Sequence, residues 1–403
     1  MSIILVSIVW CAVWGELSYA FLTNVKGGTL DSVALSKTCQ SGDLALSLIS
    51  SIQKLGSADW NDQACLFGKQ LCYVAEDRNG VASGLFGTFT NFQLNAHRVS
   101  IFFPSYDNSA MVVDGIIELG TPCLNGGSDV ACMTPLGVEK SESLNAFYFV
   151  DGQVAEIPRR AAVCMVLPNA IGKDDTNIKC INKSTGLTII EAWGAVNEST
   201  NKFFLSIPQP GNVTVHRFSI SATDIVDDSV SRTTTVVGTP PLLAKMSSLD
   251  EDGKLYFSGR NGDVYTIDQD LAIAGSAFIT GAGVGVVNSI YFDDATSALY
   301  LCGSTRIEKY DTSGSLLAAS SGFNCRDVQT DTLTGKVYAT SNSGSVSRLN
   351  ASTLAVESSL VLSGATDPVA GLEVDSASRR LYAITEFTGT DIRTFYKVKT
   401  CAN

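Results

Sequence analysis

The sequence predicts an all-β fold built from a repeated unit of short strands, on three observations. One pattern returns through the C-terminal half as SLDEDGKLYFSG (248–259), FDDATSALYLCG (292–303), TDTLTGKVYATS (330–341) and VDSASRRLYAIT (374–385). Each copy has an Asp, a few small or polar turn residues, and an aliphatic–Tyr pair that opens a strand. The tyrosines, Tyr256, Tyr300, Tyr338 and Tyr382, are separated by 44, 38 and 44 residues. A further strand follows each copy: GDVYTID, TRIEKYD, GSVSRLN and TDIRTFYKV. Short strands recurring every ~40–45 residues are characteristic of β-propeller blades. The expectation is a seven-bladed β-propeller, with eight blades the alternative.

The first 20 residues stand apart from this pattern. Ile3 to Trp14 is apolar but for Ser7, and Ser18 and Ala20 supply the small residues of a cleavage site. The run is shorter than the ~20 residues a membrane span requires, so 1–20 reads as a signal peptide despite the lack of a leading Lys or Arg. No later stretch is apolar enough to span a membrane.

Residues 21–95 form an N-terminal segment in which the repeat is weak. Within it, Leu44, Leu48, Ile52 and Leu55 share one helical face, while Leu44, Leu46 and Leu48 alternate as in a strand. The helical spacing is the reading taken. QLCYVAEDRNGVASGLFG (70–87) has the look of a blade fragment turning at Asn79-Gly80.

Residues 96–403 carry the repeats. VSIFFPSYDNSAMVVDG (99–115) lies over NSIYFDDATSALYLCG (288–303), and later units place Tyr148 and Phe204 in the aromatic slot. This gives seven units, or eight if the fragment around Tyr73 counts. The last unit shows three strands. A strand from 24–38 could complete it and close the ring, removing the free edges of an open one.

Composition points to an oxidising compartment. Cys11 lies in the signal segment, leaving Cys39, Cys65, Cys72, Cys123, Cys132, Cys164, Cys180, Cys302, Cys325 and Cys401. An even set in a secreted chain reads as disulfides. Pairing neighbours gives Cys65–Cys72, Cys123–Cys132, Cys164–Cys180 and Cys302–Cys325, and leaves Cys39–Cys401 to lock the ring. Four acceptor sequons, at Asn182, Asn197, Asn212 and Asn350, fit a glycoprotein. The net charge of −12 disfavours nucleic acid and anionic membranes as partners.

The chemical motifs are sparse. The repeated Asp250, Asp294, Asp331 and Asp375 read first as turn residues and second as a Ca²⁺ ring. DEDG at 250–253 begins like a Ca²⁺ loop but lacks the later oxygen ligands. GAGVGV (281–286) precedes no helix, so it is not a dinucleotide fingerprint and is expected as an inner strand. The two histidines, His97 and His216, cannot form a three-His metal centre, and no nucleophile motif accompanies either. His216 is expected on the exposed side of its strand. No metal or other cofactor is expected, Ca²⁺ being the one candidate. No catalytic residue is singled out, although a carboxylate pair from different blades would suit a glycosidase. Only Trp60 and Trp193 follow the signal segment, too few for a sugar pocket in every blade.

The run DGKLYFSGRNGDVYTID resembles blades of extracellular NHL, YVTN and WD40-like propellers. The resemblance covers roughly 96–403 and implies the fold while leaving function open. The leading expectation is a secreted, disulfide-bonded glycoprotein that binds an extracellular protein or glycan through loops at one end, with no enzymatic activity. The alternatives are a hydrolase with Ca²⁺ or paired carboxylates at the axis, and a structural component of a wall, matrix or filament.

Overall fold

In the computed structural model, residues 192–236 and 253–362 are described almost continuously, and outside these ranges chiefly the β-strands. The strands form seven antiparallel sheets, numbered I to VII. Sheet I holds Val74–Glu76, Leu85–Asn91, Arg98–Tyr106 and Met111–Leu119. Sheet II holds Pro135–Ser141, Ala146–Gly152, Arg160–Val166 and Ile178–Ser184. Sheet III holds Trp193–Asn197, Lys202–Gln209, Asn212–Ile220 and Ile225–Thr235. Sheet IV holds Ser247–Leu249, Lys254–Ser258, Val264–Asp268 and Ser276–Ile279. Sheet V holds Val287–Asp293, Ala298–Gly303, Ile307–Asp311 and Leu316–Ala319. Sheet VI holds Cys325–Asp331, Lys336–Ser341, Ser345–Leu349 and Val356–Val361. Within each, strands pair in chain order.

Sheet VII departs from this plan. Val369–Asp375, Arg380–Thr385 and Ile392–Thr400 come from the C-terminus, and Leu44–Lys54 and Val25–Gly27 complete the sheet from the other end of the chain. Leu44 lies opposite Thr400 and Gln53 opposite Ile392, with a register shift between Leu48 and Ser50. The helix expected over 44–55 is therefore a strand. Pairing along most of its length with Ile392–Thr400, and at Ile52–Lys54 with Val25–Gly27, satisfies backbone N–H and C=O groups, and this outweighs a helical spacing of four apolar residues. The first strands of consecutive sheets touch in succession, and that of sheet VII touches that of sheet I.

Two unit boundaries also differ from the sequence reading. The stretch 99–115 falls in the third and fourth strands of sheet I, not in a first and second pair. Val74–Glu76 and Leu85–Asn91, which overlap the 70–87 fragment, belong to that same sheet.

The core lies between sheets. Ala146, Tyr148 and Val163 of sheet II pack with Phe203, Leu205 and Phe218 of sheet III. Phe204, Val213 and Val215 of sheet III pack with Leu255, Phe257 and Ile267 of sheet IV. Tyr256 and Val264 meet Ile290, Phe292 and Leu299 of sheet V, and Tyr300 and Ile307 meet Val328 and Val337 of sheet VI. Tyr338 and Val346 then meet Leu372, Val374 and Leu381 of sheet VII.

This explains the aliphatic–aromatic pair. Successive side chains on a strand point to opposite faces. Leu255, Leu299 and Val337 turn back towards the preceding sheet, and Tyr256, Tyr300 and Tyr338 turn forward to the next. The aromatic slot, filled by Tyr148, Phe204, Tyr256, Tyr300 and Tyr338, is at most 1% exposed. Tyr256 stacks on Phe292 with ring centroids 5.0 Å apart.

Candidate functional site

The site is built from the turns between second and third strands and the loops that lead from one sheet to the next. Hydrogen bonds hold these connections together at one end of the molecule. Asp263 accepts from the Gly281 amide at 2.7 Å, tying the turn of sheet IV to the loop that follows the sheet. In sheet V, the Ser304 amide donates to the Val286 carbonyl at 2.9 Å, and Thr305 Oγ1 donates to the Gly283 carbonyl at 3.0 Å. The Asn342 amide of sheet VI donates to the Asn324 carbonyl at 3.3 Å.

A buried carboxylate anchors the middle of this face. Glu308, 1% exposed, accepts from the Gly283 amide at 3.2 and 3.1 Å, from the Tyr310 hydroxyl at 2.5 Å, and from Arg306. Burial pushes the Tyr310 hydroxyl above its usual range, and the bond to Glu308 adds to the shift. A Cβ on Gly283 would fall 1.8 Å from the Arg306 guanidinium, so any larger residue here displaces that side chain. The run 281–286 is thus a loop and not the inner strand expected. Gly281 and Gly285 have φ of 67° and 72°, which suits glycine and ends extended pairing.

Cys302, at the end of the second strand of sheet V, is bonded to Cys325, which opens the first strand of sheet VI. The disulfide joins two sheets covalently at this face. Cys164 and Cys180 are bonded within sheet II, where they are register partners on the third and fourth strands. Cys39, Cys65, Cys72, Cys123, Cys132 and Cys401 lie outside the described residues, as does His97.

Beside the disulfide, the first strands of sheets V and VI carry a bulge at their second residue, Asn288 and Arg326. The first strands of sheets II and VII have the same irregularity, at Leu136 and Ala370. A bulge inserts one residue against a continuous partner and re-aims its side chain. Asn288 Nδ2 donates to the Cys325 carbonyl at 2.7 Å. Deeper along these strands, Asp327 accepts from Ser289 Oγ at 2.7 Å and from the Leu372 amide at 3.1 Å, spanning sheets V, VI and VII. Gln329 donates to the Leu372 carbonyl and accepts from the Val374 amide. Sequence reasoning passed over Asp327, Gln329 and Glu308, because nothing in their local pattern marks residues whose partners lie on other sheets.

Of the repeated aspartates, Asp331 caps a turn and Asp294 lies in one. Asp331 Oδ1 accepts from the Leu333 and Thr334 amides at 3.0 and 3.3 Å, and Oδ2 accepts from Thr334 Oγ1 at 2.7 Å. In sheet V the equivalent residue is Asp293, which accepts from Thr296 Oγ1 at 2.6 Å, whereas Asp294 is exposed. Asp250 lies outside the described residues, and Asp375 is described only as the end of its strand. Among the described residues, no group of three or more His, Cys, Asp or Glu is placed to hold a metal ion.

The same turn position explains one sequon. Asn197 is buried, accepts from the Thr200 amide at 3.0 Å and from Ser199 Oγ at 2.8 Å, and donates to Gln269 at 2.5 Å. The sequon residues there serve the turn, and the Asn197 amide nitrogen has no room for a sugar. Asn212 and Asn350 are half-buried, and Asn182 is described only as part of its strand. His216 is also half-buried, not on an open face as expected. Burial and the nearby Lys183 lower its pKa to about 4.

Among the described residues, four- and five-stranded antiparallel sheets whose first strands touch in succession are the observation that decides the fold. The fold is a β-propeller. The chain is similar to a solved structure, the crystal structure of the WD40 β-propeller domain of Doa1, with 11% identity and a TM-score of 0.53. The match covers 87% of this chain and 96% of that one. No family model and no curated protein matches the chain.

Proposed function

We propose that the chain is a secreted, seven-bladed propeller that binds an extracellular protein through the loop face described above. The observation that carries this reading is the preorganisation of that face. Loops of blades IV, V and VI are held to each other by Asp263, Glu308, Ser304 and Asn342, and blades V and VI are joined by Cys302–Cys325. Between these anchors the face presents Asn261, Val286, Thr305, Asn324 and Asn342 to solvent. A polar surface already fixed in its bound shape loses little entropy on association. The WD40 likeness supports a scaffold of this kind, and the disulfides and the apolar segment 1–20 support an oxidising, extracellular setting.

The experiment places a photo-crosslinking residue at Asn324 on the loop face, or at Leu333 on the opposite end, in the secreted protein. A discrete adduct with one extracellular protein is expected from Asn324. It should fade about tenfold when Thr305 is changed to Arg, and Leu333 should give no such adduct. An adduct from Leu333 alone, or one indifferent to the Thr305 change, would overturn the assignment of the face.

A further inference from the structure

We infer that the folded protein carries an N-linked glycan on Asn350 and none on Asn197, and that this glycan covers an apolar patch on blades V and VI. The inference rests on the secreted reading above, and it concerns the end of the propeller opposite the loop face.

Asn350 follows the third strand of blade VI and opens a turn. Its Oδ1 accepts from the Ser352 and Thr353 amides at 3.0 Å each, which fixes χ and presents Nδ2 outward towards Glu357 Oε1 at 3.2 Å. Ser352 and Thr353 are exposed. A sugar on Nδ2 leaves the turn bonds on Oδ1 intact. Asn197 differs at the same atom, because its Nδ2 is buried against Gln269 and a glycan there would prevent blades III and IV from closing. Chains glycosylated at Asn197 are therefore lost to misfolding.

The surroundings of Asn350 supply a reason for the glycan. Glu357 binds both Asn350 and Lys336, which brings the turn holding Leu333 close by. The Ala351 carbonyl accepts from Lys309 at 3.1 Å, and Lys309 lies opposite Ala318 on the outer strand of blade V. Leu316 and Leu317 on that strand are 53% and 54% exposed, Val356 is 47% exposed and Leu333 69%. Leu316–Ala319 has no charged residue, and an uncharged apolar edge strand is a template for association with another chain. A glycan is bulky and solubilising, and Asn350 is placed among these residues.

The chain is expressed behind a foreign leader in a glycosylating host, so that the result does not depend on residues 1–20. Enzymatic removal of the glycan in heavy-oxygen water converts each former acceptor to a labelled Asp, which mass spectrometry locates. Label at Asn350 and none at Asn197 is expected. An unlabelled Asn350, or a labelled Asn197, overturns the site assignment. Ser352→Ala removes the sequon and leaves the Asn350 turn bonds in place. This variant should keep its circular dichroism spectrum and show a several-fold larger associated fraction by light scattering. An unchanged associated fraction overturns the covering role. Secretion with the chain's own first 20 residues is scored separately. Its failure counts against the secreted reading and leaves the site assignment standing.

Discussion

Seven residues before the aromatic slot, four blades carry a buried polar side chain that caps the first turn: Ser141, Asn197, Asp293 and Asp331. Each accepts from the residue three positions later, through the backbone amide of Leu144, Thr200 or Thr334 or the hydroxyl of Thr296. Asp331→Ala leaves the Leu333 and Thr334 amides and the Thr334 hydroxyl without their buried acceptor. We expect a stability loss of about 2 kcal/mol, read from the urea midpoint. Tyr338→Ala opens a cavity between blades VI and VII and should cost about 3–5 kcal/mol in the same measurement. His216 gives a pH dependence whose sign follows from its pKa of about 4, against 6.5 for the free residue. Between these values the unfolded chain binds the proton and the folded protein resists it, so stability falls as the pH is lowered through that window. His216→Gln should flatten the decline in melting temperature between pH 7 and pH 4.5. An unchanged slope would show that the group does not govern acid lability.

At the scale of elements, the blades are joined by a few cross-links of different kinds. Lys183 pairs with Asp227 across blades II and III, and Arg217 and Arg232 of blade III donate to carbonyls of the 269–272 turn of blade IV. Exposed ion pairs add little by themselves. Arg217 and Arg232 are different, because each holds the turn through two backbone acceptors. The Cys302–Cys325 disulfide, with a sequence separation of 23, restricts the unfolded chain and should contribute about 3 kcal/mol in the chain-entropy description. Replacing both cysteines by Ser should lower the urea midpoint accordingly. It should also raise hydrogen exchange at the start of the Cys325–Asp331 strand, while exchange in blade II stays as it was.

For the whole molecule, the decisive joint is blade VII, where strands from both ends of the chain share one sheet. Removing residues 21–54 leaves the outer edge of Ile392–Thr400 without a partner. We expect this truncated chain to aggregate on size-exclusion chromatography and to unfold over a broader range of urea, because an open edge both recruits other chains and uncouples the last blade. A sharp transition at the original midpoint would mean that the N-terminal strands do not stabilise the ring.

The sequence by itself determined the repeat, the strand pairs of the C-terminal blades and the slot of Tyr256, Tyr300 and Tyr338, since these depend on local alternation and turn chemistry that recur at fixed spacing. It also brought together Cys164 with Cys180 and Cys302 with Cys325, which are close along the chain. The role of Leu44–Lys54 was open in the sequence, where helical and alternating patterns coexist, and was decided by a partner strand at the far end of the chain. The same holds for Asn197, whose sequon is identical in form to that of Asn350. Only the tertiary structure buries one amide between blades and leaves the other at a turn. Gly283 likewise is held by Glu308, on a strand it does not pair with, and lies against Arg306 just ahead of that strand. Local pattern specifies which strands form. Burial and long-range pairing specify which surfaces remain for function, because both depend on neighbours that the local sequence does not contain.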